Sequence, residues 1–152
     1  MTGALDLPRF AETALLECTD PTYPQERLIA CRHPLLAAER ARKREALLQA
    51  TERELDTIVQ ATTRPTRRLT GEAAIALRVG KVRNRFKMGK HFQITITDTQ
   101  LRYTRDTQSI ATEAALDGVY VLRTSVASDT LSPTSTVSAY KSLAGVERAF
   151  RS

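Results

Sequence analysis

A single carboxylate interrupts an otherwise apolar helical stripe near the C-terminus. Ser132-Pro133 is a typical helix start, with Ser as the N-cap and Pro at the first helical position. From there, residues recurring at steps of three and four share one face: Val137, Tyr140, Leu143, Glu147 and Phe150. Glu147 must therefore be paired, bind a cation, or lie at the rim of the packed face. An ion pair with Arg151, one turn later, is the structural alternative for Glu147.

The second candidate for chemistry is a basic helix, predicted from Thr70-Gly71-Glu72 to about Met88. Its apolar face consists of Ile75, Val79, Val82 and Phe86. One flank carries Arg78, Lys81 and Arg85, and the other carries Arg83, Lys87 and Lys90. Such a helix favours contact with nucleic-acid phosphates, with Arg78, Lys81 and Arg85 as the expected DNA contacts, and a solvated face is the alternative. Asn84 is the only candidate for reading bases.

The net charge, the cysteines and the histidines limit the classes of protein to which this chain can belong. The formal net charge of the 152-residue chain is +6, which favours a polyanionic partner, most simply nucleic acid. Cys18 and Cys31 do not form a Cys-x-x-Cys pair, and His33 and His91 have no zinc spacing. We interpret both histidines as positions at the ends of strands or helices. Unbridged thiols, the lack of a long apolar span and the lack of a signal peptide indicate a cytoplasmic protein that does not enter a membrane.

Periodicity predicts a mixture of helices and strands that would position these groups. The predicted helices are a short one over 9–16, a long one over 35–62, the basic helix, and another over 107–116. Residues 27–31 and 119–126 are predicted strands, and 91–105 alternate as a β-hairpin around a turn at Asp98. The long helix and the basic helix should pack as an antiparallel hairpin, because a short Pro-containing loop joins them.

The C-terminal stripe resembles the last catalytic block of bacterial DDE-type insertion-sequence transposases. Many of these carry Tyr-x2-Arg-x3-Glu-x6-Lys on a helix, and Tyr140 and Glu147 stand at that spacing. Leu143 occupies the Arg position, and the Lys position would fall two residues beyond Ser152. The strings 117–125 and 26–34 are also similar to the group, so the resemblance runs from about Pro24 to the C-terminus.

The resemblance implies metal-dependent DNA cleavage and strand transfer at transposon ends. The family holds two Mg²⁺ or Mn²⁺ ions with two aspartates and one glutamate. Glu147 matches that glutamate as the catalytic and metal-binding residue, and the aspartates would lie before Met1. Tyr140 would contact the DNA end, and Arg148 and Arg151 could replace the missing Arg. None of the chain's own aspartates stands in the required strand context; they are Asp6, Asp20, Asp56, Asp98, Asp106, Asp117 and Asp129.

We therefore expect an α+β chain that forms part of a ribonuclease H-like transposase domain. Residues 1–23 are poorly defined, 24–116 form an insertion with the helical hairpin and the β-hairpin, and 117–152 carry a core strand and the Glu147 helix. The expected partner is duplex DNA, near the nucleoid, with a homodimer in the complete enzyme. We expect this chain alone to bind metal weakly and to lack cleavage activity. The alternative is a basic DNA-binding module without catalysis.

Overall fold

The computed structural model describes the backbone of residues 15–150 and the side chains of residues 15–143. The fold mixes helices with antiparallel sheets, as the periodicity predicts. The elements in chain order are β1 (Leu15–Cys18), β2 (Arg27–Arg32), α1 (Pro34–Thr63), α2 (Glu72–Phe86), a 3-10 turn (Gly89–His91), β3 (Phe92–Ile96), β4 (Leu101–Arg105), α3 (Thr107–Ala114), β5 (Val119–Thr124) and α4 (Pro133–Phe150).

The chain forms two compact units. The sheet unit comprises residues up to Ala38 and from Asp117 onward, and the hairpin unit comprises Glu39–Leu116. In the sheet unit, β1, β2 and β5 pair antiparallel in the order β1-β2-β5. β2 thus belongs with the C-terminal strand, whereas the sequence analysis groups it with the helical hairpin. The reason is the ladder between β2 and β5, a long-range pairing that local periodicity does not report.

A small apolar core holds the sheet unit together. Ile29 and Cys31 from β2 pack with Leu122 from β5 and Val137 from α4. On β5, Leu122 faces this core, whereas Val121 lies on the opposite face and is 55% exposed. Arg27, at the start of the central strand β2, links it to β1, because its guanidinium donates to both carboxylate oxygens of Glu17 at 2.6 and 2.8 Å.

Local signals at both helix starts of the sheet unit act as predicted. Ser132 Oγ accepts a hydrogen bond from the Ser135 amide at 3.1 Å, which caps α4. At the start of α1, His33 Nδ1 accepts from the Leu36 amide at 3.3 Å, which agrees with a structural role for this histidine. Both contacts satisfy amides that lack partners in the first helical turn.

The predicted helix over 9–16 is wrong where the structure tests it. Leu15 and Leu16 lie in β1, and the rest of that range lies outside the described residues. The four-residue strand is too short to show alternation, and its pairing with β2 defines it. The apolar stripe of α4 also differs from the prediction: Val137 is buried, but Tyr140 and Leu143 are 54% and 62% exposed.

The hairpin unit has the larger core. Buried residues of α1, α2, β3 and β4 form one cluster: Leu48, Leu55, Ile58, Ile75, Val79, Val82, Met88, Phe92 and Leu101. The Leu69 amide bonds to the Ala61 carbonyl, whereas Arg85 reaches back to Glu54, so the two helices run in opposite senses as predicted. β3 and β4 pair in the register Phe92↔Arg105 to Ile96↔Leu101. Arg105 then ties the β-hairpin to α1 by bonding to Glu45 and Glu52.

Candidate nucleic-acid interface

The packing of α2 decides which of its cationic side chains reach solvent. Ile75, Val79 and Val82 point into the core of the hairpin unit, and their spacing leaves both flanks of the helix outward. Each basic residue of α2 is exposed. Because the helix is held along its apolar stripe, its charged surface is a fixed feature of the unit and not a frayed end.

The first flank contains the three cations that the sequence analysis selects for DNA contact. Arg78 and Lys81 are exposed and make no ion pair within the described part of the chain. Arg85 differs, because its Nη1 lies 3.0 Å from Glu54 Oε1 and its guanidinium lies 5.0 Å from the Phe86 ring centre. An exposed pair of this kind contributes little to stability. Arg85 is therefore partly neutralised but could exchange Glu54 for a phosphate at small cost.

The second flank forms a recess of about 350 Å³ at the end of α2. Its lining contains three cations, one amide side chain and two glycines: Gly80, Arg83, Asn84, Lys87, Gly89 and Lys90. None of the described residues that line it is a carboxylate. The helix ends because Lys87 takes the left-handed conformation, with φ 58°, while its amide still donates to the Arg83 carbonyl. The chain then turns through Gly89–His91, which brings Lys90 back towards Arg83. Sequence periodicity places these cations on one flank but does not predict the recess.

A fully buried histidine anchors the turn behind this recess. His91 Nδ1 lies 3.0 Å from Ser109 Oγ, and Nε2 lies 3.2 Å from Glu113 Oε2. Glu113 also pairs with Lys90. The hydrogen bond from Lys90 is the main cause that lowers the pKa of Glu113, with the charges of Lys90 and His91 adding to it. The sequence analysis misses this cluster. The sequence signal for this cluster is the i,i+4 spacing of Ser109 and Glu113 on one helix face, together with a histidine at the start of a predicted strand.

The other residues predicted to contact DNA belong to α4. Tyr140 is exposed on that helix, in the sheet unit. Glu147 and Arg148 lie in the last part of α4, beyond the described side chains, and Arg151 lies outside the described residues altogether. The six described aspartates lie in a helix, caps, turns and loops, and Asp6 lies outside the described residues.

The described part of the chain contains neither a cluster of metal-ligating side chains nor a helix that could span a membrane. From Leu15 to Leu143, no three or more His, Cys, Asp or Glu residues are grouped so that they could hold a metal ion. None of the helices within residues 15–150 has the length and apolarity to cross a membrane. No family model, curated protein or solved structure matches the chain. The basic surface of α2 is thus the feature from which a function can be argued.

Proposed function

We propose that this protein binds the phosphate backbone of double-stranded DNA through α2. The observation that carries the proposal is the set of exposed cations on both flanks of one firmly packed helix, without acidic partners among the described residues: Arg78, Lys81, Arg83 and Lys87. Phosphate neutralisation by Lys and Arg releases condensed counterions, which makes such binding favourable and dependent on salt. The net charge of +6 adds long-range attraction to DNA.

Backbone contact explains this surface better than base readout. Direct readout uses bidentate side chains aimed at base edges, with Arg for guanine and Asn or Gln for adenine. On α2 the only such amide is Asn84, and it lines the recess together with the cations. We therefore propose binding that tolerates many sequences.

We further propose that the chain is a segment of a DDE-type transposase with a ribonuclease H-like core. The support is the resemblance around Tyr140 and Glu147, together with the basic helix that a DNA-processing protein needs. In that role α2 holds transposon-end DNA, and Glu147 would join two aspartates of the complete enzyme in binding Mg²⁺. The complete enzyme would act as a homodimer at the nucleoid. A stand-alone DNA-binding module remains the second candidate, because α2 by itself accounts for the binding.

Fluorescence anisotropy with a labelled duplex tests DNA binding over a series of salt concentrations. For wild type, log K should fall linearly with log[salt], with a slope of about −0.9 per phosphate neutralised. The double variant Arg78→Ala/Lys81→Ala should lose affinity for all sequences, and its slope should be shallower by about 2. Arg64→Ala/Arg102→Ala removes the same charge from exposed positions away from α2 and serves as the control. Equal losses in both double variants would show that net charge alone binds DNA, and the proposal for α2 would then fail.

A further inference from the structure

We propose that the recess at the end of α2 seats one phosphodiester group of the DNA backbone, a contact distinct from the diffuse attraction of the rest of the helix. The inference rests on the proposed DNA binding and names where the backbone is gripped. It concerns Arg83 and Lys87, which are not among the DNA contacts expected from the sequence, and Asn84, which the sequence offers only for reading bases. Arg78 and Lys81 are not among the residues that line the recess, and none of its described lining residues is a carboxylate.

Gly89 is the feature that shapes the recess. A Cβ placed on Gly89 would stand 2.5 Å from Arg83 Nε and 3.3 Å from its Cγ and Cζ. The arginine side chain therefore lies directly against the glycine, in space that any other residue would fill. The Arg83 guanidinium, which lies against Gly89, offers a planar fork of donors that matches phosphate oxygens in a bidentate manner.

The other residues that line the recess give it the positive charge that an anion site needs. Lys87 makes no ion pair within the described part of the chain, whereas Lys90 is already engaged by Glu113. Arg83 and Lys87 thus supply the free positive charge, and Asn84 supplies an amide donor. Cations at a helix C-terminus also complement its dipole, which is the structural alternative for these residues. That alternative predicts effects on stability, whereas a seated phosphate predicts effects on DNA affinity.

Variants that conserve charge separate a seated phosphate from diffuse attraction. Gly89→Ala leaves the net charge unchanged but moves Arg83 out of its place, and Arg83→Lys keeps the charge but removes the fork. Each should weaken duplex binding by about tenfold, the order expected for loss of one charge-assisted contact. The double variant should bind no more weakly than either single variant, because both remove the same contact. Arg78→Lys, the same exchange on the other flank, should bind like wild type.

The outcomes distinguish this inference from the proposed function. If Gly89→Ala and Arg83→Lys bind like wild type while Arg78→Ala/Lys81→Ala is weakened, the seated contact is wrong and DNA binding by α2 stands. If wild type does not bind duplex DNA, both are wrong. If the charge-conserving variants change only the thermal melting curve, the dipole role accounts for Arg83 and the inference is overturned.

A free anion is the remaining alternative for the same chemistry. The NMR signal of the Arg83 Nε–H group should shift on adding duplex DNA and stay in place on adding inorganic phosphate at equal ionic strength. Saturation of that shift by micromolar inorganic phosphate would mark a site for a free anion and would overturn the assignment to the DNA backbone.

Discussion

At the scale of single residues, His91 shows how a buried polar group determines local geometry. The ring is fully buried, and both nitrogens have partners, Ser109 and Glu113. Burial of a polar group without a partner is costly, so these two contacts compensate for placing an imidazole in the core. They also join the turn at Gly89–His91 to α3. Gly89 and Lys90 of that turn line the basic recess.

Removal of the His91 side chain should therefore destabilise the hairpin unit strongly. His91→Ala leaves a cavity and removes the partner of Ser109 Oγ, while Glu113 keeps its pair with Lys90, and we expect the free energy of unfolding to fall by about 2–4 kcal/mol. Ser109→Ala removes one partner only and should cost about 1 kcal/mol. Urea unfolding followed by circular dichroism measures both. Equal, small effects of the two substitutions would contradict the anchoring role of His91.

Glu113 should make stability depend on pH in the acid range. Its pKa in the folded protein is lowered, first by the hydrogen bond from Lys90, so its contribution is present above the unfolded-state pKa and is lost as pH falls through the folded value. Wild type should thus lose more unfolding free energy than Glu113→Gln between about pH 5 and pH 3. Lys90→Met should reduce the acid loss in the same way. Parallel pH profiles of unfolding for all three proteins would be the contrary result.

At the scale of elements, the turn between α3 and β5 depends on one glycine. Gly118 has φ +74°, and a Cβ there would stand 2.5 Å from the His33 carbonyl oxygen and 2.8 Å from Ala37 Cβ. The Gly118 carbonyl also accepts a hydrogen bond from the His33 amide at 2.9 Å. This close approach fixes the end of β2 and the first turn of α1 beside the start of β5.

Gly118→Ala should consequently destabilise the sheet unit by about 3 kcal/mol, from backbone strain and from the clash with the His33 backbone. Gly71→Ala is the matched control, because Gly71 also has positive φ, +93°, but its nearest atom to a Cβ is Ala74 Cβ at 3.9 Å. Strain alone should then cost about 1–2 kcal/mol. Thermal unfolding of the two variants measures the difference, and similar losses would show that the contact at Gly118 is not important.

At the scale of the whole molecule, the described residues present the exposed basic surface of α2 but no group of three or more His, Cys, Asp or Glu residues that could hold a metal ion. Two-metal chemistry needs several carboxylates converging on the ions. The described aspartates serve structural roles: Asp106 caps α3 through the Ser109 amide, and Asp98 accepts from the Glu72 amide. Binding and cleavage should therefore separate in this chain.

In the presence of Mg²⁺ or Mn²⁺, the chain should bind a labelled transposon-end duplex but should not cleave it. Two metal ions need several carboxylate ligands, and Glu147 would supply only one. Denaturing gels read cleavage, and native gels read binding on the same samples. Glu147→Gln is the matched variant, and it should behave like wild type. Cleavage by wild type that disappears in Glu147→Gln would overturn this expectation and establish a complete active site.

Sequence periodicity by itself predicts most of the elements, because amphipathic spacing reports which face of each helix or strand is buried. The helical hairpin, the β3–β4 hairpin and the Ser132 cap follow from such local signals. The two flanks of α2 follow in the same way, since Ile75, Val79 and Val82 determine which side faces the core. Identity and spacing of residues suffice wherever the interaction is local.

Only the tertiary structure decided the features that join distant residues. β1 is defined by its pairing with β2, and β2 joins β5 through a ladder that spans most of the chain. The basic recess exists because the left-handed Lys87 ends α2 and places Gly89 under Arg83. The sequence alone therefore determined that a basic amphipathic helix is present. The three-dimensional path of the chain after that helix decided that its end forms a recess rather than a plain charged face.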